Sequence, residues 1–158
     1  MKTLITASLT ALALSLPTFA AAESQTLGKL EISEPFTFVT AKGVKAGGGF
    51  VSITNTGAEA DALIAARADF PRVEIHTTEE KDGIARMMHV DRIEIPAGET
   101  VSLAPGGFHV MFMGVSDPFE MGEEIPVTLV FEKAGEIEVM FPVKERTGAM
   151  GHGHKHTH

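Results

Sequence analysis

Two histidines and two methionines, His76, Met87, His109 and Met111, carry the chemistry of this chain. Ten residues separate His76 from Met87, 21 separate Met87 from His109, and one separates His109 from Met111. Residues two apart on a β-strand share a face, so His109 and Met111 project together, with Met113 following on that side. Thioether sulfur is soft and neutral and selects Cu(I) over hard divalent ions. Zinc sites draw instead on thiolate, imidazole and carboxylate. Four neutral ligands leave a monovalent charge in place, and only the two imidazoles compete with protons for the ion. Taken singly, each of the four reads as packing, since Met fills irregular core gaps and a lone strand His is usually a half-buried polar residue. The set, rather than any one member, points to a soft metal ion.

Other His and Met residues are secondary. His152, His154, His156 and His158 alternate with Gly, Lys and Thr just after Met150. Such imidazole tracts favour Cu(II) among divalent ions, so the expectation is a second, Cu(II)-binding segment there. His89 shares the strand face of Met87 and is a candidate supporting or alternative ligand, whereas Met88 points to the opposite face. Met113 reads as a rim residue, and Met121 and Met140 read as packing residues.

Composition removes several function classes. There is no cysteine, which excludes disulfides, thiolate metal sites, cysteine nucleophiles and the His₂Cys centre of a blue-copper electron carrier. The formal charge of −8 argues against nucleic acid or anionic lipid as partner and suits attraction of cations. No G-x-S-x-G elbow or paired-carboxylate context marks a hydrolase. A binding protein, not an enzyme, is expected.

The elements that must position these residues are strands. Phe50 to Thr54 is β-branched and ends at Asn55-Thr56-Gly57. Ala62 to Ala66, Val73 to His76, Arg92 to Ile95 and Thr100 to Leu103 follow, each bounded by turn residues. Ile125, Val127, Leu129 and Phe131 occupy alternate positions, Ala134-Gly135 turns the chain, and Ile137, Val139, Phe141 and Val143 resume the period. Short strands with frequent turns and no helical period predict an all-β sandwich with Greek-key spacing. Three segments are expected: a signal peptide over 1–22, with Lys2, an apolar run from Leu4 to Leu16 and Ala20-Ala21-Ala22 at the cleavage positions; a domain over 23–146; and a disordered His-rich tail over 147–158. The apolar run is shorter than the ~20 residues that span a bilayer, so no membrane insertion is expected after cleavage.

The spacing His76-x10-Met87-x21-His109-x-Met111 resembles the copper-binding signature of the PCu(A)C family of periplasmic copper chaperones. GGGFVSITNTGAEADALIAA is similar to that family's strand–Asn–turn–Asp–Leu segment, VEIHTTEEKDGIARM to its first ligand segment and IEIPAGETVSLAPGGFHVMFMG to its second. The resemblance covers residues 30–143 and departs from it after His76, where Thr77-Thr78-Glu79-Glu80 stands in place of additional Met. It implies a cupredoxin-like β-sandwich that carries Cu(I) through the periplasm. It further implies delivery to a copper enzyme such as the CuA site of cytochrome c oxidase subunit II, alongside Sco-type proteins. The same ligand chemistry also serves copper storage or resistance by sequestration.

Overall fold

The computed structural model describes residues 24–147. The expected signal segment, 1–22, and the four tail histidines lie outside them. The described residues form strands and turns only, as the alternation requires. Eleven strands follow in order: β1 (Gln25–Leu27), β2 (Leu30–Phe38), β3 (Ala46–Asn55), β4 (Asp61–Arg67), β5 (Arg72–Lys81), β6 (Ile84–His89), β7 (Ile93–Ile95), β8 (Thr100–Leu103), β9 (Phe108–Met113), β10 (Glu124–Phe131) and β11 (Gly135–Lys144).

The strands make two layers. One runs β6-β5-β9-β3-β2, with β1 added to β2 and β8 to β3; the other runs β11-β10-β4-β7. Antiparallel ladders dominate, and β11 ties the layers together by pairing Val143 and Lys144 in parallel with Thr37 and Phe38 at the end of β2. The chain crosses repeatedly between layers, from β3 to β4, back to β5, and again at β6–β7 and β7–β8. The result is a sandwich and not a meander, in line with the expected cupredoxin-like arrangement.

Alternation sets the core. In the β10–β11 hairpin Ile125 faces Phe141, Val127 faces Val139 and Leu129 faces Ile137 across the ladder, and the turn closes where Phe131 meets Gly135. Gly135 sits at φ 99°, a conformation that L side chains avoid. Phe112, Phe141, Ile32, Ile53, Leu63, Ile95, Leu103 and Leu129 are fully buried between the layers. Burying one such side chain contributes about 1.5–3 kcal/mol. In β3, Gly47 and Gly49 face inward, where a Cβ would come within 2.6 Å of the Phe119 ring and 3.0 Å of the Phe112 ring. Those missing side chains let the aromatic rings pack closely against β3, beside the ladder that holds β9.

Met140 and Met121 depart from the packing role expected of them. They are 37% and 59% exposed. Met140 falls between the inward-facing Val139 and Phe141, so the strand period itself turns it to solvent.

Candidate metal centre

Register brings the ligand candidates together. β5 lies between β9 and β6. Across β5–β9, His76 stands opposite His109 and Glu74 opposite Met111. Across β5–β6, His76 stands opposite His89 and Thr78 opposite Met87. Directly opposed residues share a face, as do residues two apart. Glu74, His76, Met87, His89, His109 and Met111 therefore occupy one face, the outer face of this layer. Ile75, Val110 and Phe112 point the other way and are buried, which is what holds the outer set in phase.

Burial grades across the face. His109 is 5% exposed and Met87 61%; the His76 side chain is 15% exposed and that of His89 53%. The His109 ring lies 6.4 Å from that of Phe50, which packs with Phe36 and Phe38 at centroid distances of 5.1 and 5.6 Å. β6, by contrast, is an edge strand exposed along its whole length. Met87, His109 and Met111 line one cavity of about 470 Å³ together with Phe38, Val44 and Phe50. Gly48 contributes no side chain beside Met111, its ladder partner, and so leaves that cavity open. Met88, opposite Thr77, faces away from Met87, as the strand period predicts. Met113 pairs with Arg72 and Ala46 at the end of the same face, in the rim position expected of it.

The two imidazoles are each held by one nitrogen. The His109 ring approaches the Gly107 carbonyl through Nδ1, at 3.1 Å. A carbonyl only accepts, so Nδ1 carries the proton and Nε2 carries the lone pair. His76 Nε2 donates to Glu74 Oε2 at 2.8 Å, which leaves the lone pair on Nδ1. Both of these remaining nitrogens, His76 Nδ1 and His109 Nε2, are buried, and neither has a hydrogen-bond partner among the described residues. The ring centroids lie 5.9 Å apart at 60°. An imidazole fixed through one nitrogen by a carboxylate or carbonyl, with the other bare, is the arrangement found around metal-bound histidines.

Glu74 stands outside the His–Met motif of the sequence, and it completes this support. Its Oε2 accepts from His76, and its Oε1 is paired with Arg72. The hydrogen bond from His76 holds the Glu74 carboxyl below its ordinary value, Arg72 adds to this, and burial opposes it. The available signal was position alone, since Glu74 lies two residues before His76 on the same strand face.

The sequence profile of the LpqE-like family, described as "putative lipoprotein LpqE-like", matches residues 30–143. The Leifsonia xyli subsp. xyli (strain CTCB07) protein described as "Putative lipoprotein Lxx21020" is 35% identical over 147 residues, covering 89% of this chain and 85% of its own. Among solved structures, the copper-bound PCuAC domain from PmoF2 aligns with a TM-score of 0.66 at 29% identity, covering 78% of this chain and 99% of that one. The Cu(I)-bound solution structure of DR1885 from Deinococcus radiodurans aligns with a TM-score of 0.60 at 24% identity, covering 81% and 85%, and shares the fold. The resemblance to PCu(A)C proteins carried by the sequence motifs thus extends to three dimensions.

Proposed function

The chain belongs to the LpqE-like family, and from that premise we propose that it is a periplasmic copper chaperone binding Cu(I) through His76, Met87, His109 and Met111. The observation that carries this reading is the pair of buried nitrogens on cross-strand histidines that have no hydrogen-bond partner among the described residues. A buried polar atom without a partner costs about 1–3 kcal/mol, and a cation coordinated by both would offset that. Met87 and Met111 lie in the cavity that His109 also lines. Two borderline nitrogens and two soft sulfurs suit Cu(I). Copper in the structurally similar PCuAC domain from PmoF2 supports the same choice.

Glu74 and Gly107 position the nitrogen donors of His76 and His109, Phe36, Phe38 and Phe50 keep one wall dry, and the exposed Met87 leaves the ion near the surface. A partner can then displace the Met87 thioether first and take the ion by ligand exchange. The proposed recipient is a copper enzyme, the CuA site of cytochrome c oxidase subunit II, with a Sco-type protein acting alongside. The tail histidines His152, His154, His156 and His158 would hold Cu(II). Export through a signal segment fits relatives named as lipoproteins, although none of these 158 residues is a cysteine to carry a thioether-linked lipid.

The test is a metal-transfer assay. Cu(I)-loaded protein is mixed with apo CuA domain, and copper on each is followed after separation. Transfer in the loaded-to-apo direction supports delivery. Retention of copper by this protein would instead support sequestration, and failure to load Cu(I) would reject both.

A further inference from the structure

His76 presents a second nitrogen to a second group of ligands. On the side of its ring away from Nδ1, Nε2 lies 2.8 Å from Glu74 Oε2. His89 Nδ1 lies 3.8 Å from that same oxygen, and the His76 and His89 rings stand edge-to-face with centroids 6.0 Å apart. One ligand atom from each of Glu74, His76 and His89 falls within 4.8 Å of the others. Ligand bonds of about 2.0–2.2 Å to a tetrahedral ion place donor atoms about 3.3–3.6 Å apart, so closing this triangle shortens its longest side by about 1.5 Å at most.

Each member is also held from behind. Arg72 binds the other Glu74 oxygen, Oε1, and so points Oε2 at the imidazoles. His89 Nε2 donates to Asp91 Oδ1 at 3.2 Å, which directs the Nδ1 lone pair toward Glu74. Glu74 Oε2, which already accepts from His76, then faces the His89 Nδ1 lone pair across 3.8 Å with no proton between them, an arrangement that a cation stabilises.

We propose that Glu74, His76 and His89 form a second metal site, which takes a borderline divalent ion such as Zn(II) or Cu(II). The donor set is two imidazoles and a carboxylate with no sulfur, the set that zinc and Cu(II) use and that Cu(I) does not prefer. The site faces solvent, since the His89 side chain is 53% exposed, so water completes the coordination shell.

The two sites exclude each other. A neutral imidazole has a single lone-pair nitrogen. Metal on His76 Nε2 moves the ring proton to Nδ1 and removes the donor that Cu(I) needs; metal on Nδ1 returns the proton to Nε2 and restores the bond to Glu74. This exclusion rests on the Cu(I) reading above, whereas divalent binding itself does not.

The experiment uses the full chain with His152, His154, His156 and His158 all replaced by Ala, so that the tail does not compete. Zn(II) alone is the probe, because it is redox-inert and avoids thioether. Zn(II) should bind one-to-one by isothermal titration. His89→Ala, at an exposed edge-strand position, should weaken it about tenfold or more, and Glu74→Gln, which preserves shape, should do likewise. Cu(I) affinity of the His89→Ala protein should be unchanged. Met111→Leu should lower Cu(I) affinity and leave Zn(II) affinity alone, so the two readings fail separately. Saturating Cu(I) should displace Zn(II). Zn(II) binding that ignores both His89→Ala and Glu74→Gln, or no Zn(II) binding at all, would overturn the divalent site. Simultaneous retention of both ions would overturn the exclusion.

Discussion

Where the β10–β11 turn closes one end of the sandwich, Asp61 is 7% exposed and its carboxylate accepts from three backbone amides, those of Ala62, Lys133 and Ala134, at 2.8–2.9 Å. Nearby Asn55, 2% exposed, donates to the carbonyls of Glu59 and Ile95 and accepts from the amide of Gly57. On the β5–β9 face His109 is 5% exposed and the His76 side chain 15%, yet one buried nitrogen on each has no partner among the described residues. The first region uses polar side chains to close a fold, tying β4 to a turn 72 and 73 residues away. The second keeps donors in reserve. A buried unsatisfied atom costs about 1–3 kcal/mol, so a fold that satisfies every such group at one end and bares two at the other marks where something binds. Stability and function therefore separate by region, and mutations should show it.

The largest effect on stability belongs at Asp61. Asp61→Ala leaves three amides without their charged acceptor, and bonds to charged groups contribute about 1.5–3 kcal/mol each. A loss of about 3 kcal/mol or more is expected from denaturant midpoints, with Cu(I) affinity of the folded fraction unchanged. A parallel fall in affinity would erase the distinction between the regions.

His109→Phe should do the reverse. The new ring sits beside Phe50, and Gly107 O keeps its bond from the Thr78 amide at 3.1 Å, so removing the bare nitrogen should alter stability by no more than about 1.5 kcal/mol. Cu(I) affinity, measured against a competing chelator, should drop about 100-fold or more. A protein unfolded by this change would mean that His109 is structural.

Met111→Leu sharpens the point within the site. Volume and apolarity are kept, so stability should shift by less than ~1.5 kcal/mol, while loss of the thioether lowers Cu(I) affinity clearly. Unchanged affinity would remove Met111 from the ligand set.

The smallest effect concerns acid. The Glu74 carboxyl is held below its ordinary 4.5, first by His76 and then by Arg72, against burial. A carboxyl lowered on folding contributes stability above its unfolded value, and that contribution is lost as pH falls through the lowered one. In metal-free protein, the stability difference between the native chain and Glu74→Gln should be present at neutral pH and shrink below about pH 4.5. Unfolding curves across that range check it, and a difference that grows toward acid would contradict the assigned pairing.

The two regions also differed in how well the sequence revealed them. The β10–β11 hairpin is legible because both strands alternate cleanly about a Gly that the turn requires. β6 carries no such signal: every residue from Ile84 to His89 is exposed, so burial leaves no period to read. β2 is obscured for another reason, since its pairing with β3 shifts between Ser33 and Phe36, where Glu34 takes φ 51°. The ligand candidates were legible as types and spacings, and strand phase placed them on one face. Their supports were not. Glu74 reads as an ordinary outward residue until β6 and β9 flank it, and which imidazole nitrogen is free depends on hydrogen bonds that sequence does not specify.

That last feature gives the most direct test of copper binding at this face. Cu(I) is diamagnetic, so long-range proton–nitrogen correlation spectra of ¹⁵N-histidine-labelled protein report each ring nitrogen before and after loading. Coordination through His76 Nδ1 and His109 Nε2 should move those two resonances, while His76 Nε2 and His109 Nδ1 keep their protons. Shifts at the opposite nitrogens, or no change at either ring on adding one equivalent of Cu(I), would contradict the binding site assigned to this face.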